Sequence, residues 1–172
     1  MIEGRHIKIR AFEERDMEVF FNLFQKSVIK AEIYISEFES KVKLKELFLK
    51  NGLIDENIAY FIIANLQDEI IGLIYFKKPL AHLALDIGFI IFEEKNRAKG
   101  YMKESLKLFS RYIFSTRNIN RLQLSIPDYN RAAIAVAQGC NFSFEGIAKQ
   151  ALFFKGELLD LCVYSLLRKD VE

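Results

Sequence analysis

The chain has 172 residues, 51% of them hydrophobic and 28% charged, with two prolines and a formal charge of +2. That length supports one domain with a substantial core, and the composition excludes a disordered or collagen-like chain. No long Lys/Arg block marks a nucleic-acid footprint or a polybasic membrane patch, so neither nucleic acid nor membrane is expected as a partner. Cys140 and Cys162 lie outside any short ligand spacing and are not grouped with His6 or His82, so no metal and no disulfide framework are expected. The first ten residues carry no apolar signal region, and the protein reads as cytoplasmic.

In chain order, His6 to Arg10 alternates with Ile7 and Ile9 on one face, predicting a short strand. Asp16 opens a helix in which Val19, Phe20, Leu23 and Phe24 recur at helical spacing. A second helix covers Lys41 to Lys50, with Val42, Leu44, Leu47 and Phe48 turned inward and Asn51-Gly52 as its stop. The stretch between these helices carries no readable period. Ile58 to Ala64 and Ile70 to Phe76 are apolar and β-branched or aromatic, joined by a polar hairpin loop, and Leu83 to Phe92 is a third strand after the Lys77-Lys78-Pro79 turn. Lys99 to Phe114 shows an apolar stripe of Met102, Leu106, Phe109 and Ile113 opposite Lys103, Lys107, Ser110 and Arg111. Ile119 to Ile126 is a strand, Ala132 to Gln138 a small-residue helix, and Phe142 to Phe154 with Leu158 to Leu167 a hairpin turning at Lys155-Gly156. The order is β-α-α-β-β-β-α-β-α-β-β, in a single domain over residues 1–172.

Chemistry concentrates where the strand ending Phe89-Ile90-Ile91-Phe92 runs into Arg97-Ala98-Lys99-Gly100-Tyr101-Met102 and the following helix. Backbone N–H groups in a first helical turn have no intrahelical partner, and the helix dipole adds positive potential, so the turn can hold a pyrophosphate largely by backbone. Gly100 permits close approach, while Arg97 and Lys99 add charge. On physics alone the same run also reads as a polar turn before an exposed helix.

The run resembles the pyrophosphate motif of the GNAT N-acetyltransferase superfamily: basic residue or Gln, two variable positions, Gly, one variable position, then Gly or Ala. Asn130-Arg131-Ala132-Ala133-Ile134, Phe142 and Glu145-Gly146 look like that family's later helix and its closing residues. Lys155-Gly156-Glu157-Leu158-Leu159-Asp160, Tyr164 and Leu166-Leu167-Arg168 are similar to the last hairpin of its ribosomal-protein (RimJ/RimL-like) branch. Ile2-Glu3-Gly4-Arg5, which also spells a recognition sequence of a protease used to remove expression tags, fits the opening strand of that branch. The resemblance implies an α/β (α+β) fold: a mixed, mostly antiparallel twisted sheet of about seven strands with a splayed central pair, flanked by about four helices. It implies acetyl-CoA as cosubstrate, with pantetheine along the backbone of Ile90, Ile91 and Phe92 and pyrophosphate at Arg97, Ala98, Lys99, Gly100, Tyr101 and Met102. Asn130 is carried over as a pantetheine contact, a position that a helix cap explains equally well. A homodimer is compatible with the branch.

The reaction implied is direct attack of a bound amine on acetyl-CoA in a ternary complex. The acceptor is a protein N-terminus or a small amine such as a polyamine, an antibiotic or a nucleotide-linked amino sugar; a non-catalytic acyl-CoA-binding module is the alternative. Asp86, on the central strand, is the first candidate for the base that takes the amine proton, with a strand-end ion pair as its plain reading. His82 ranks second. Tyr34, Phe38, Phe153 and Phe154 are candidates for an acceptor cleft or, more simply, packing residues. The sequence departs from the family at Ala137 and Ala133, where Tyr and Ser would protonate the leaving thiolate, and at Ala98 and Met102, where Gly and Gly or Ala are common, placing a longer side chain near the phosphates. Asn141 stands for a Gly before Phe142, in a left-handed position that Asn tolerates.

Overall fold

The alternating and helical patterns resolve into eight strands and four α-helices in the computed structural model, which describes residues 1–29, 38, 40–79 and 83–171. In chain order they are β1 (Ile2–Glu3), β2 (Ile7–Arg10), α1 (Met17–Ile29), α2 (Lys41–Asn51), β3 (Ile58–Asn65), β4 (Ile70–Lys77), β5 (Ala84–Ile91), α3 (Tyr101–Thr116), β6 (Arg121–Pro127), α4 (Arg131–Gly139), β7 (Ser143–Phe154) and β8 (Glu157–Leu167). The strands form one sheet in the order β1-β2-β3-β4-β5-β6-β8-β7. Every neighbouring pair is antiparallel except β5 with β6, which are parallel and joined across α3.

Strand alternation divides the core in two. On one face Leu85, Ile87 and Ile91 of β5 and Leu122, Leu124 and Ile126 of β6 pack against Leu106, Phe109 and Ile113 of α3 and Ala137 of α4. On the other, Ile62 and Leu73 pack against Phe20 and Phe24 of α1 and Leu44 of α2. The second core is largely aromatic: Phe20 makes edge contacts with Phe12, Phe38 and Phe92 at centroid distances of 4.8, 5.5 and 5.8 Å. Such pairs each add about 0.5–1.5 kcal/mol beyond area burial. Phe38 is therefore a packing residue, while Phe153 is exposed and Tyr34 lies outside the described residues.

Local sequence explains most of the element ends. Ser40 caps α2 by accepting from Lys43 N–H at 3.1 Å, and Gly52 ends it at φ 64°. Lys155 and Gly156, at φ 53° and 83°, form the two-residue turn between β7 and β8, with the positive φ at both positions that a type I′ hairpin turn needs. Asn141 takes the left-handed conformation at φ 65°. Two expected inward residues, Val19 and Val42, are exposed instead, because each lies just outside the arc its helix buries. β1 is an addition to the expected order: Ile2 and Glu3 pair with Ile9 and Lys8. Among the described residues no helix is long and apolar enough to cross a membrane.

Candidate cofactor and acceptor cleft

The two central strands part company after three residues. β5 pairs with β6 only at Ala84–Asp86 against Arg121–Gln123. Beyond that, β5 follows β4 to Ile91 opposite Gly72, and β6 follows β8 to Pro127 opposite Leu161. The wedge between them opens into a cleft of about 960 Å³, lined by Ile87–Ile91, the start of α3, Leu124–Pro127 and the start of α4.

Backbone direction along β5 decides what this wedge offers. Phe92 N–H donates to Ile71 O at 3.0 Å, and Arg121 N–H donates to Leu83 O at 3.1 Å. In an uninterrupted strand, polar groups alternate between the two edges. Gly88, Ile90 and Phe92 therefore face β4, while Ile87, Phe89 and Ile91 face β6 and, past the parting point, the cleft. Three consecutive residues cannot present their backbone to one edge, so within the run Ile90, Ile91, Phe92 only Ile91 turns its backbone groups towards the cleft. Phe92 also turns its ring into the α1 core, and Ile90 lines the cleft without a cleft-facing amide.

The turn at the far end is shaped by backbone conformation. Gly100, at φ 80°, is the N-cap of α3, and beyond its two chain neighbours no atom lies within 4 Å of where its Cβ would be. Glu104 N–H donates to Gly100 O as the first helical bond, leaving the N–H groups of Tyr101, Met102 and Lys103 without intrahelical partners. Ala98 is at φ 57°, a conformation that Gly adopts freely and that costs Ala about 1–2 kcal/mol. Met102 lines the cleft, with its side chain turned largely inward. It is 8% exposed and joins the core beneath α3, as helix phase requires. Arg97 is used differently from a free charge: Nε donates to Ile91 O at 3.3 Å and Nη2 to Phe92 O at 3.2 Å, tying the turn to the strand end. Lys99 is not among the cleft-lining residues, whereas Lys103 is. Asn130 caps α4, its Oδ1 accepting from Ala133 N–H at 3.1 Å, and it lines the cleft as well.

On the α1/α2 face, the parting point carries Asp86, opposite Gln123 on β6 and Lys77 on β4. Its Oδ1 is buried without a hydrogen-bond partner among the described residues. Burial raises the Asp86 pKa, with the positive charge of Arg121 pulling the other way. Arg121 itself grips Glu145 through two bonds of 2.5 and 2.6 Å and bonds Gln123 Oε1 at 2.8 Å. Ser165 Oγ donates to Glu145 Oε1 at 2.6 Å, and with Arg121 it holds the Glu145 pKa down at about 2. His82 lies outside the described residues. Ala137 is fully buried and Ala133 carries no acid, so α4 offers no proton to a leaving group. Among the described residues no three His, Cys, Asp or Glu side chains converge on a metal position. Sequence reading missed Tyr75, which lines the cleft; Gly88 inside a strand was the signal, since it marks a close approach.

Residues 6–143 match the acetyltransferase (GNAT) domain family. The chain belongs to the GNAT acetyltransferase family. It is an N-acetyltransferase, and relatives agree along nearly its whole length. The uncharacterized N-acetyltransferase p20 of Bacillus licheniformis is 23% identical over 172 residues, covering 95% of this chain and 94% of the relative. The fold of this GNAT enzyme superimposes on spermidine N-acetyltransferase from Vibrio cholerae in complex with CoA and spermine, with TM-score 0.83, 22% identity and coverage of 98% and 99%. It also superimposes on RimL, a ribosomal alpha-N-protein acetyltransferase, in complex with coenzyme A, with TM-score 0.84, 22% identity and coverage of 98% and 97%.

Proposed function

We propose that this GNAT enzyme moves the acetyl group of acetyl-CoA to a primary amine by direct attack in a ternary complex, within one domain spanning the chain, and that a protein N-terminus is its first acceptor class. The observation that carries the reading is the unpaired edge of β5 running from the start of α3 to the parting point at Asp86. A pantetheine arm has amides that pair with the outward groups of Ile87, Phe89 and Ile91, and the first-turn amides of α3 with Lys103 take the pyrophosphate. Acetyl-CoA supplies the activated acyl group. Phe89 N–H, the first donor past the parting point without a strand partner, polarises the thioester carbonyl as negative charge gathers on its oxygen.

The acceptor enters from the α1/α2 face, where Asp86 takes the proton from the attacking nitrogen. A base with a raised pKa suits this work, because it holds a proton more readily than an ordinary carboxylate. An α-amine with a pKa near 7.7–8.0 is neutral in roughly one molecule in ten at pH 7, whereas an amine near 10.4 is neutral in roughly one in a few thousand. One half-buried carboxylate fits the α-amine best. A polyamine is the second reading, supported by the spermidine enzymes among the relatives. Thiol release from acetyl-CoA, measured with N-terminal peptides, spermidine and amino sugars, separates them. Turnover on peptides that exceeds turnover on spermidine supports the first reading, and the reverse order replaces it.

A further inference from the structure

Acetyl transfer leaves a thiolate, and α4 of this chain has alanine at 133 and 137, the two positions where the resemblance to the family implies an acid. Three tyrosines line the cleft: Tyr75, Tyr101 and Tyr129. Tyr101 opens α3 and Tyr129 precedes the cap of α4, both past the ends of the two strands that splay, β5 and β6. Tyr75 is on β4, directly across from Gly88, two residues beyond the parting point at Asp86. Its ring occupies the space a side chain at position 88 would need: a Cβ there would lie 2.1 Å from Tyr75 Cζ and 2.2 Å from Tyr75 Oη. Gly88 thus lets the phenol lie on the cleft wall beside the strand that carries the thioester. The ring packs against Tyr60 at a centroid distance of 5.3 Å, which fixes its orientation. Lys77 Nζ is 5.8 Å from the ring centroid, where its charge offsets the negative charge left when the phenol gives up its proton.

We infer that Tyr75 is the catalytic acid of this enzyme, donating its hydroxyl proton to the departing sulfur. The inference rests on the amine-acetylation reading above. The amine lone pair forms the N–C bond, the C–S bond breaks with its electron pair going to sulfur, and Asp86 accepts the proton from nitrogen. The Tyr75 O–H proton goes to sulfur, water restores the phenol, and Asp86 returns its proton to water, so the products are an amide and free thiol. Ser125 also lines the cleft, but an aliphatic hydroxyl is a far weaker acid than a phenol.

The test is Tyr75→Phe in the full chain, which keeps the ring and its packing. With acetyl-CoA and an amine that the wild type acetylates, kcat falls roughly a hundredfold, the lower end of the range for losing a general acid or base. CoA affinity and the unfolding midpoint stay at wild-type values. With the selenoester analogue of acetyl-CoA, whose leaving selenolate is less basic and needs less protonation, the penalty shrinks. Unchanged kcat, an equal penalty on both esters, or a fall explained by weaker CoA binding overturns the assignment. A wild-type chain that acetylates no amine at all overturns the parent reading instead, so the two failures are distinct.

Discussion

On the α3 side of the β5–β6 wedge, what faces the cleft is mainly backbone: the outward groups of Ile87, Phe89 and Ile91 and the first-turn amides of α3. On the α1/α2 side Tyr75 of β4 lines the cleft, and around the parting point lie side chains brought from separate strands: Asp86 from β5, Arg121 and Gln123 from β6, Glu145 from β7 and Ser165 from β8. A site built of backbone tolerates wide sequence change provided conformation is kept. A site built of side chains changes with each substitution, which is how one cosubstrate comes to serve many acceptors. The contrast teaches where to aim a mutation: conformation on the first side, functional groups on the second.

The largest expected effect is on the side-chain face. Asp86→Asn lowers kcat roughly a hundredfold to a thousandfold while leaving CoA affinity unchanged, as measured by thiol release and calorimetry. The same variant is expected to unfold at a higher temperature at neutral pH. The folded Asp86 carboxyl has a raised pKa, so the native state binds its proton more tightly than the unfolded chain, and stability falls as pH rises through that window. A variant less active but more stable would separate function from folding at this position. On the backbone face, Gly100→Val should weaken CoA binding on the order of tenfold to a hundredfold, or about 1.4–2.8 kcal/mol. A β-branched residue resists φ 80°, and its side chain fills space that the protein leaves open. Asn130→Ala removes the α4 cap and costs about 1 kcal/mol of stability, read from denaturant unfolding. The smallest effect is expected at Glu145. Its pKa is held at about 2, so its stabilising contribution is present above the ordinary glutamate pKa and is lost as pH falls towards 2. The pair with Arg121 is partly exposed, so Glu145→Gln removes no more than about 1 kcal/mol, seen as a flatter stability profile in acid.

How much was legible in the sequence follows the same divide. The strand, turn and helix around Gly100 lie close together in the chain, so periodicity and turn chemistry reveal them, as they reveal the Asn51-Gly52 stop, the Asn130 cap and the Lys155-Gly156 turn. The parting of β5 from β6 is a non-local pairing choice, and no local pattern announces where it begins. The cleft-facing parity of β5 depends on its register with β4, which no local pattern in the sequence encodes. Arg97 reads as a phosphate ligand in sequence, and its guanidinium also bonds the carbonyls of its own strand end, a tie that only the fold reveals. Tyr75 becomes visible only once β4 is laid against Gly88.

Amide hydrogen exchange along β5, with and without CoA, tests the unpaired edge most directly. The splayed geometry predicts that the amides of Phe89 and Ile91 exchange rapidly in the free protein and become protected when CoA binds, while those of Gly88 and Ile90, already bonded to β4, do not change. Protection confined to Gly88 and Ile90, or no change anywhere on β5 at saturating CoA, would contradict it.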